Sequence, residues 1–384
     1  MNMDRRRPRR PAPAHAGEDA GGPYWRLLLS ALLVLALVST AAAQRIPPPH
    51  VADEIVMANR PPPLLSHFRF FRDVAMTAPN PGVTPYDLNT PLYSDGALKL
   101  RYVYIPREAG PARYSEDDVF DFPVGTALIK TFAFAADMRR PTENVRFIET
   151  RVMIRRPEGW LTLPYVWNEA QTEARLSVIG ADVPVSFTNE AGEVIALDWP
   201  VPNVNQCRGC HTRAGEIVPI GPNARNLNRD YHYASGAENQ LVHWTNAAII
   251  DGLPASRGPR VPNAYNATDG ALEHRARAYL DVNCAHCHNP EGPAHTSGLD
   301  LSWLQTDPAR WGVNKRPVAA GRGSAGFEFA IEPGHPERSI LLHRMESTDP
   351  GVMMPELGRQ LVDERGLALI RQWIAEMDAD GSSD

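Results

Sequence analysis

Cysteine is scarce in this 384-residue chain, and none is left over for disulfides. All four copies fall in two stretches, Cys207-Arg208-Gly209-Cys210-His211 and Cys284-Ala285-His286-Cys287-His288. Lysine is scarcer still: Lys99, Lys130 and Lys315 are the only three, which excludes a docking face built from a ring of lysines. After residue 44 no apolar run approaches the ~20 residues needed to span a bilayer. No methionine occurs between His211 and Cys284. What the chain has in plenty is proline and glycine, 36 and 28 residues. Proline removes a backbone donor and fixes φ, so regular structure must be interrupted often by loops. The length allows two or three domains.

Residues 1–43 read as a signal peptide. Arg5 to Arg7, Arg9 and Arg10 come first, the apolar run Leu27 to Val38 follows, and Ala41-Ala42-Ala43 offers small residues for cleavage before Gln44. The expected compartment is the periplasm. An uncleaved membrane anchor is the alternative, and the only route by which a membrane would become a partner. The leader carries a net +3, so its removal takes the formal charge from −6 to −9. Such a chain has no basic footprint for nucleic acid, and its charge suits a positively charged partner face.

The allocation of cysteine is the strongest chemical signal. In Cys-x-x-Cys-His the two thiols have the spacing to add to the two vinyl groups of one haem, and the adjoining histidine is positioned to ligate the iron. The expectation is two haem c groups, held covalently by Cys207 and Cys210 and by Cys284 and Cys287, with His211 and His288 as proximal ligands. Two other chemistries use the same thiol pairs: a structural zinc, which would not require a histidine after both pairs, and a redox dithiol, which would sit near a βαβ pattern that the sequence lacks.

Residues 44–63, with Pro47-Pro48-Pro49 and Pro61-Pro62-Pro63, read as an extended proline-rich tether. From 64 to 202 the pattern is β: Leu98, Leu100, Tyr102 and Tyr104 alternate with Lys99 and Arg101, and Ile148, Thr150, Val152 and Ile154 alternate with charged residues. Further short runs at 126–134, 160–167, 174–179 and 194–199 suggest a β-sandwich. Residues 203–262 form a first haem-binding segment, with helical periodicity over 238–253. Residues 263–384 contain two more helical patterns, 270–282 leading into Cys284 and 362–377 at the end. The expected fold class is therefore α+β multidomain: a β-sandwich-like domain, a short haem-binding segment and an all-α C-terminal domain.

The stretch Gly270 to Met377 resembles a small class I cytochrome c domain. A helix ending in Tyr279-Leu280-Asp281-Val282-Asn283 runs into the haem motif, a loop-rich middle follows, then Met354-Pro355 and a terminal helix carrying Trp373. The resemblance implies that Met354 is the distal ligand of the second haem, with Met353 and Met345 as rivals, and gives no role to His286, His335 or His343. A carbonyl of the Pro290–Pro293 loop is expected to orient His288. From about residue 64 onward the chain also resembles a family of bacterial di-haem c-type cytochromes, often paired with a parallel β-helix repeat protein. That resemblance rests on Tyr165-Val166-Trp167-Asn168-Glu169, on Val201-Pro202-Asn203-Val204-Asn205-Gln206 before the first motif, on Ile220 to Asn228, and on Asp349 to Pro355.

For the first haem the distal ligand stays open among His243, His232, a residue of the β region such as Met138 or Met153, and a five-coordinate iron. The expected function is electron transfer between a periplasmic redox partner, for which the resemblance suggests a β-helix repeat protein, and the respiratory chain. A peroxidase-like haem enzyme and a binding module with the β region as receptor are the alternatives, and no catalytic residue is assigned.

Overall fold

Runs whose alternate residues can cover two opposite faces make strands that share one sheet, because successive side chains of a strand point to opposite faces. Six strands do so here: β1 (Val83–Tyr86), β2 (Leu98–Tyr104), β3 (Ala127–Ala135), β4 (Val145–Arg156), β5 (Gly159–Trp167) and β6 (Ala174–Leu176). They pair in sequence order, all antiparallel, with one register shift between Phe132 and Ala133. The computed structural model describes residues 50–318 and 320–378. The expected signal peptide, 1–43, and the first residues of the expected tether lie outside the described residues.

The register names the two faces. Tyr102, Ile129, Val152 and Leu163 form a rank across β2 to β5. That face is buried under Val51, Val56, Leu65, Phe68, Phe70 and Met76, each fully buried apolar side chain contributing roughly 1.5–3 kcal/mol. The described part of the expected tether is thus no free linker: it holds a one-turn helix, Asp53–Val56, and closes the sheet's core. The opposite face carries the rank Arg101, Lys130, Arg151, Pro164 and beside it Val103, Leu128, Met153, Thr162.

A second, two-stranded ribbon of β7 (Ala181–Thr188) and β8 (Val194–Val201) packs Val183, Val185, Phe187 and Trp199 against Phe132, Phe134 and Ile148. The β-sandwich expected from the strand spacing is therefore not formed. One six-stranded meander has its apolar face covered by irregular chain, and the ribbon caps only one end of its other face.

The expected all-α C-terminal domain is also corrected. Between Cys284 and Ser339 the chain is irregular, with one four-residue helix, Pro308–Trp311, a few 3₁₀ turns and the isolated bridges Val313 to Ile331 and Phe329 to Ser339. Nor does the segment stand apart from the sheet. Thr90 Oγ1 donates to the Pro262 carbonyl (2.8 Å), Tyr93 N–H to Asn283 Oδ1 (2.8 Å), and Asp95 Oδ1 accepts from the backbone of Gln360 and Leu361 (2.7 Å each). The α+β class with an all-α class I cytochrome c-like end does not describe this chain, in which the antiparallel sheet dominates and the helices are short and scattered.

Those helices are α1 (Val204–His211), α2 (Gln240–Asn246), α3 (Leu272–Asn283), α4 (Ile340–Glu346) and α5 (Glu364–Ala375). The pattern over 238–253 yields only α2: Asn239 caps its start, Ala248 adopts φ 55°, and Ile250–Asp251 leaves to pair in parallel with Ala112–Arg113. Helices α3 and α5 pack through Ala276, Leu280, Ile370, Trp373 and Ile374. Gly366 permits the approach, since a Cβ there would lie 2.3 Å from the Tyr279 ring.

Candidate functional site

The first motif is built on α1. Asn203 caps it: its Oδ1 accepts from Gln206 N–H, and Gln206 Oε1 accepts from Asn203 N–H, both at 2.9 Å. This reciprocal box satisfies two end donors and starts the helix so that Cys207, Cys210 and His211 fall within its eight residues. The chain then turns back through Ala214 and Gly215, both at positive φ, into the ribbon Thr212–Arg213 with Glu216–Ile217. The return brings the Val218 carbonyl 2.8 Å from His211 Nδ1. Nδ1–H donates there, which leaves Nε2 as the lone-pair nitrogen. Burial pushes the His211 pKa down to about 4, so the ring is neutral and a competent metal donor at neutral pH.

The second motif follows α3. Cys287 N–H and His288 N–H both return to the Cys284 carbonyl, at 3.1 and 2.9 Å, and Gly292 closes the following turn where a Cβ would lie 2.3 Å from the Cys287 carbonyl oxygen. His288 Nδ1 meets Ser297 Oγ at 3.0 Å, and burial pushes its pKa down to about 4. The orienting group is thus a hydroxyl; no carbonyl of the Pro290–Pro293 loop takes that place. Burial also raises the thiols of Cys207 and Cys284, the latter to about 12.

The two motifs, far apart in sequence, meet in space. Ala214 N–H donates to the Glu291 carbonyl (2.9 Å), and Arg213 forms an ion pair with Glu291 (3.8 Å). Cys210 and Cys287 lie side by side: their interaction, with His286 adding to it, pulls the Cys210 thiol pKa down, and the same interaction together with burial pushes that of Cys287 up. His286, an inner residue of the second motif to which the sequence assigned no role, meets Cys210 of the first. Two cavities flank this junction, of about 200 and 380 Å³. Cys210, His211 and His286 line both, and the second falls in the size range of ligand pockets, ~300–1,000 Å³.

The first cavity opens between the sheet and the C-terminal loops, and Cys207, Met345, Met354 and Pro355 share its wall. Met353 is buried but is not part of that wall. The loop that presents Met354 is held by Arg359, a residue the sequence did not single out. Its buried guanidinium donates to the carbonyls of Met354 (2.9 Å), Ser347 (2.9 Å) and Met345 (3.1 Å). Arg359→Met leaves these carbonyls short of donors, and bonds to a charged group contribute about 1.5–3 kcal/mol each. The variant is expected to lose at least about 2 kcal/mol of stability, read as a lowered urea midpoint with unchanged slope.

His243 is not brought to this site. It stacks on Tyr233 at 3.5 Å between centroids and pairs with Glu238 Oε2 at 2.8 Å, and it lines neither cavity. His232 lies on the strand Asp230–Tyr233 of a separate hairpin and is likewise absent from both walls. Met153 does reach the first cavity, from β4, whereas Met138 packs on the ribbon core. Among the described residues no three or more His, Cys, Asp or Glu side chains converge as a metal site.

No family model, curated protein or solved structure matches the chain.

Proposed function

We propose that this chain is an exported di-haem c-type cytochrome, of the family its motifs resemble, which passes electrons between a periplasmic redox partner and the respiratory chain. The observation that carries the reading is the meeting of the two Cys-x-x-Cys-His motifs through Ala214–Glu291 and Cys210–Cys287. The donor set fits the group: each motif offers two thiols and a neutral imidazole whose Nδ1 is already engaged. Bound haem supplies reversible one-electron exchange at iron. The protein's part is to fix both attachment points against each other, to lock each ring's orientation through Val218 and Ser297, and to surround the junction with apolar wall. Neighbouring attachment favours transfer between the two groups, because electron tunnelling falls steeply with separation. Met354 is kept as the distal ligand paired with His288, and the distal ligand of the first haem stays open.

The Cys210–Cys287 contact also favours a second reading, a redox dithiol that closes to one disulfide between the motifs. Denaturing electrophoresis with haem staining, combined with intact mass, separates the two. The expected result is a stained band carrying two haems, falling to one in Cys207→Ser/Cys210→Ser. An unstained chain that gains two free thiols on reduction would replace the cytochrome reading with the dithiol one.

A further inference from the structure

Like charges placed directly opposite each other on adjacent strands repel, yet the polar face of this sheet sets three cations in one rank. Arg101 on β2 is the register partner of Lys130 on β3, which is the partner of Arg151 on β4. All three line the cavity that also holds Cys207, Cys210 and His211. They keep some accessible surface but are enclosed by protein, so that surface is the cavity wall.

The counter-charges fall short. Asp87 serves two arginines, Arg101 at 2.8 Å and Arg229 at 3.3 Å. Glu149, fully buried, is taken by Arg151 Nε (3.1 Å) and Trp199 Nε1 (2.9 Å). The other acids at the wall are committed elsewhere: Asp95 to the backbone of Gln360 and Leu361, Asp363 to Tyr265 Oη and Gly366 N–H. Lys130, in the middle of the rank, has only the face of Phe132 at 4.7 Å, and among the described residues no oxygen accepts from its Nζ. An enclosed ammonium without an acceptor is costly, and burial with the neighbouring cations drives its pKa down. The charge of Lys130 is felt at His211, and that of Arg151 at Cys207 and Cys210.

The geometry points to this rank as a carboxylate site: Lys130, flanked by Arg151 and Arg101, receives the carboxylate side chains of the haem attached at Cys207 and Cys210. The inference rests on the di-haem reading and gives the sheet its task there, as the wall that neutralises the cofactor's acid edge. A cation beside the cofactor favours its reduced, more negative state, so the rank raises the reduction potential of the haem at Cys207 and Cys210 more than that of the other.

Lys130→Met is the test variant, since it removes an unpaired charge and breaks no side-chain hydrogen bond among the described residues. Potentiometric titration of the full-length protein is followed at both haems, with added inorganic phosphate as a second arm. The expected result is two haems per chain with one potential shifted downward more than the other, recovered in Lys130→Arg and repeated in Arg101→Met. Both potentials unchanged in Lys130→Met with two haems attached would overturn the carboxylate site while leaving the di-haem reading intact. A wild-type potential that moves with phosphate, and no longer does so in Lys130→Met, would also overturn it by assigning the rank to a free oxyanion. A wild-type chain without haem would bring down the di-haem reading itself.

Discussion

Met354→Ala is expected to abolish the long-wavelength absorption band that marks thioether coordination of ferric haem, and to lower the potential of the haem concerned, because a thioether favours ferrous iron. Met353→Ala is expected to leave both unchanged, since Met353 is packed away from the cavity wall that Met354 shares with Pro355. Met345→Ala is the sharper control. Met345 lines the same cavity and stands on α4, but its side chain also belongs to the core around Ile370 and Trp373, so its loss should cost about 2–5 kcal/mol of stability with the band retained. The cavity joins Met354 to Cys207 and Cys210 as well as to His286, so the haem it serves needs its own measurement. In Cys207→Ser/Cys210→Ser the band should persist if His288 and Met354 share an iron. Its disappearance there would transfer Met354 to the first haem, and its survival in Met354→Ala would remove Met354 from ligation altogether.

The local half of this architecture was legible in the sequence and the long-range half was not. Alternation over Leu98 to Tyr104 and over 148–154 marked β2 and β4 because one face of each strand joins a single apolar core, through Tyr102, Tyr104, Val152 and Ile154, and that requirement is written residue by residue. In β7 the same alternation is present, Val183, Val185 and Phe187 in and Asp182, Pro184 and Ser186 out. Proline inside a run argues against a strand, yet Pro184 is tolerated in a two-stranded ribbon, where one edge carries no partner. Pro85 is tolerated in β1 in the same way, at the edge of the main sheet. The pattern of 263–384 was read as a helical domain from its two ends, α3 and α5, which are real. The stretch between them is held by individual hydrogen bonds, such as Asn314 N–H to the Ile331 carbonyl at 2.9 Å, and these leave no periodic trace. At the site, the thiols and histidines announced themselves by spacing. Arg359, His286 and the rank of Arg101, Lys130 and Arg151 did not, because strand register and loop docking bring them together across tens of residues.

The largest stability effect is expected at Glu149. This carboxylate has no exposed surface, accepts from Arg151 Nε and Nη2, and takes the indole N–H of Trp199. Through these bonds it joins β4 to β8 at the point where the ribbon docks on the sheet. Glu149→Ala removes the only carboxylate paired with Arg151 among the described residues, in a rank that already holds Lys130 and Arg101, and it strands the Trp199 donor among Phe132 and Phe134. Breaking a buried pair by deleting one partner costs about 3–5 kcal/mol, a large part of a typical folding free energy of 5–15 kcal/mol. Glu149→Gln keeps an acceptor for Trp199 and loses only the charge, so it should fall between wild type and Glu149→Ala. The double variant Glu149→Ala/Arg151→Met should recover much of the loss, since it removes the uncompensated cation along with its partner. Urea unfolding followed by tryptophan fluorescence measures all four proteins. Equal destabilisation in the single Ala variant and the double variant would mean that Trp199 docking, and not the charge pair, is what Glu149 supplies.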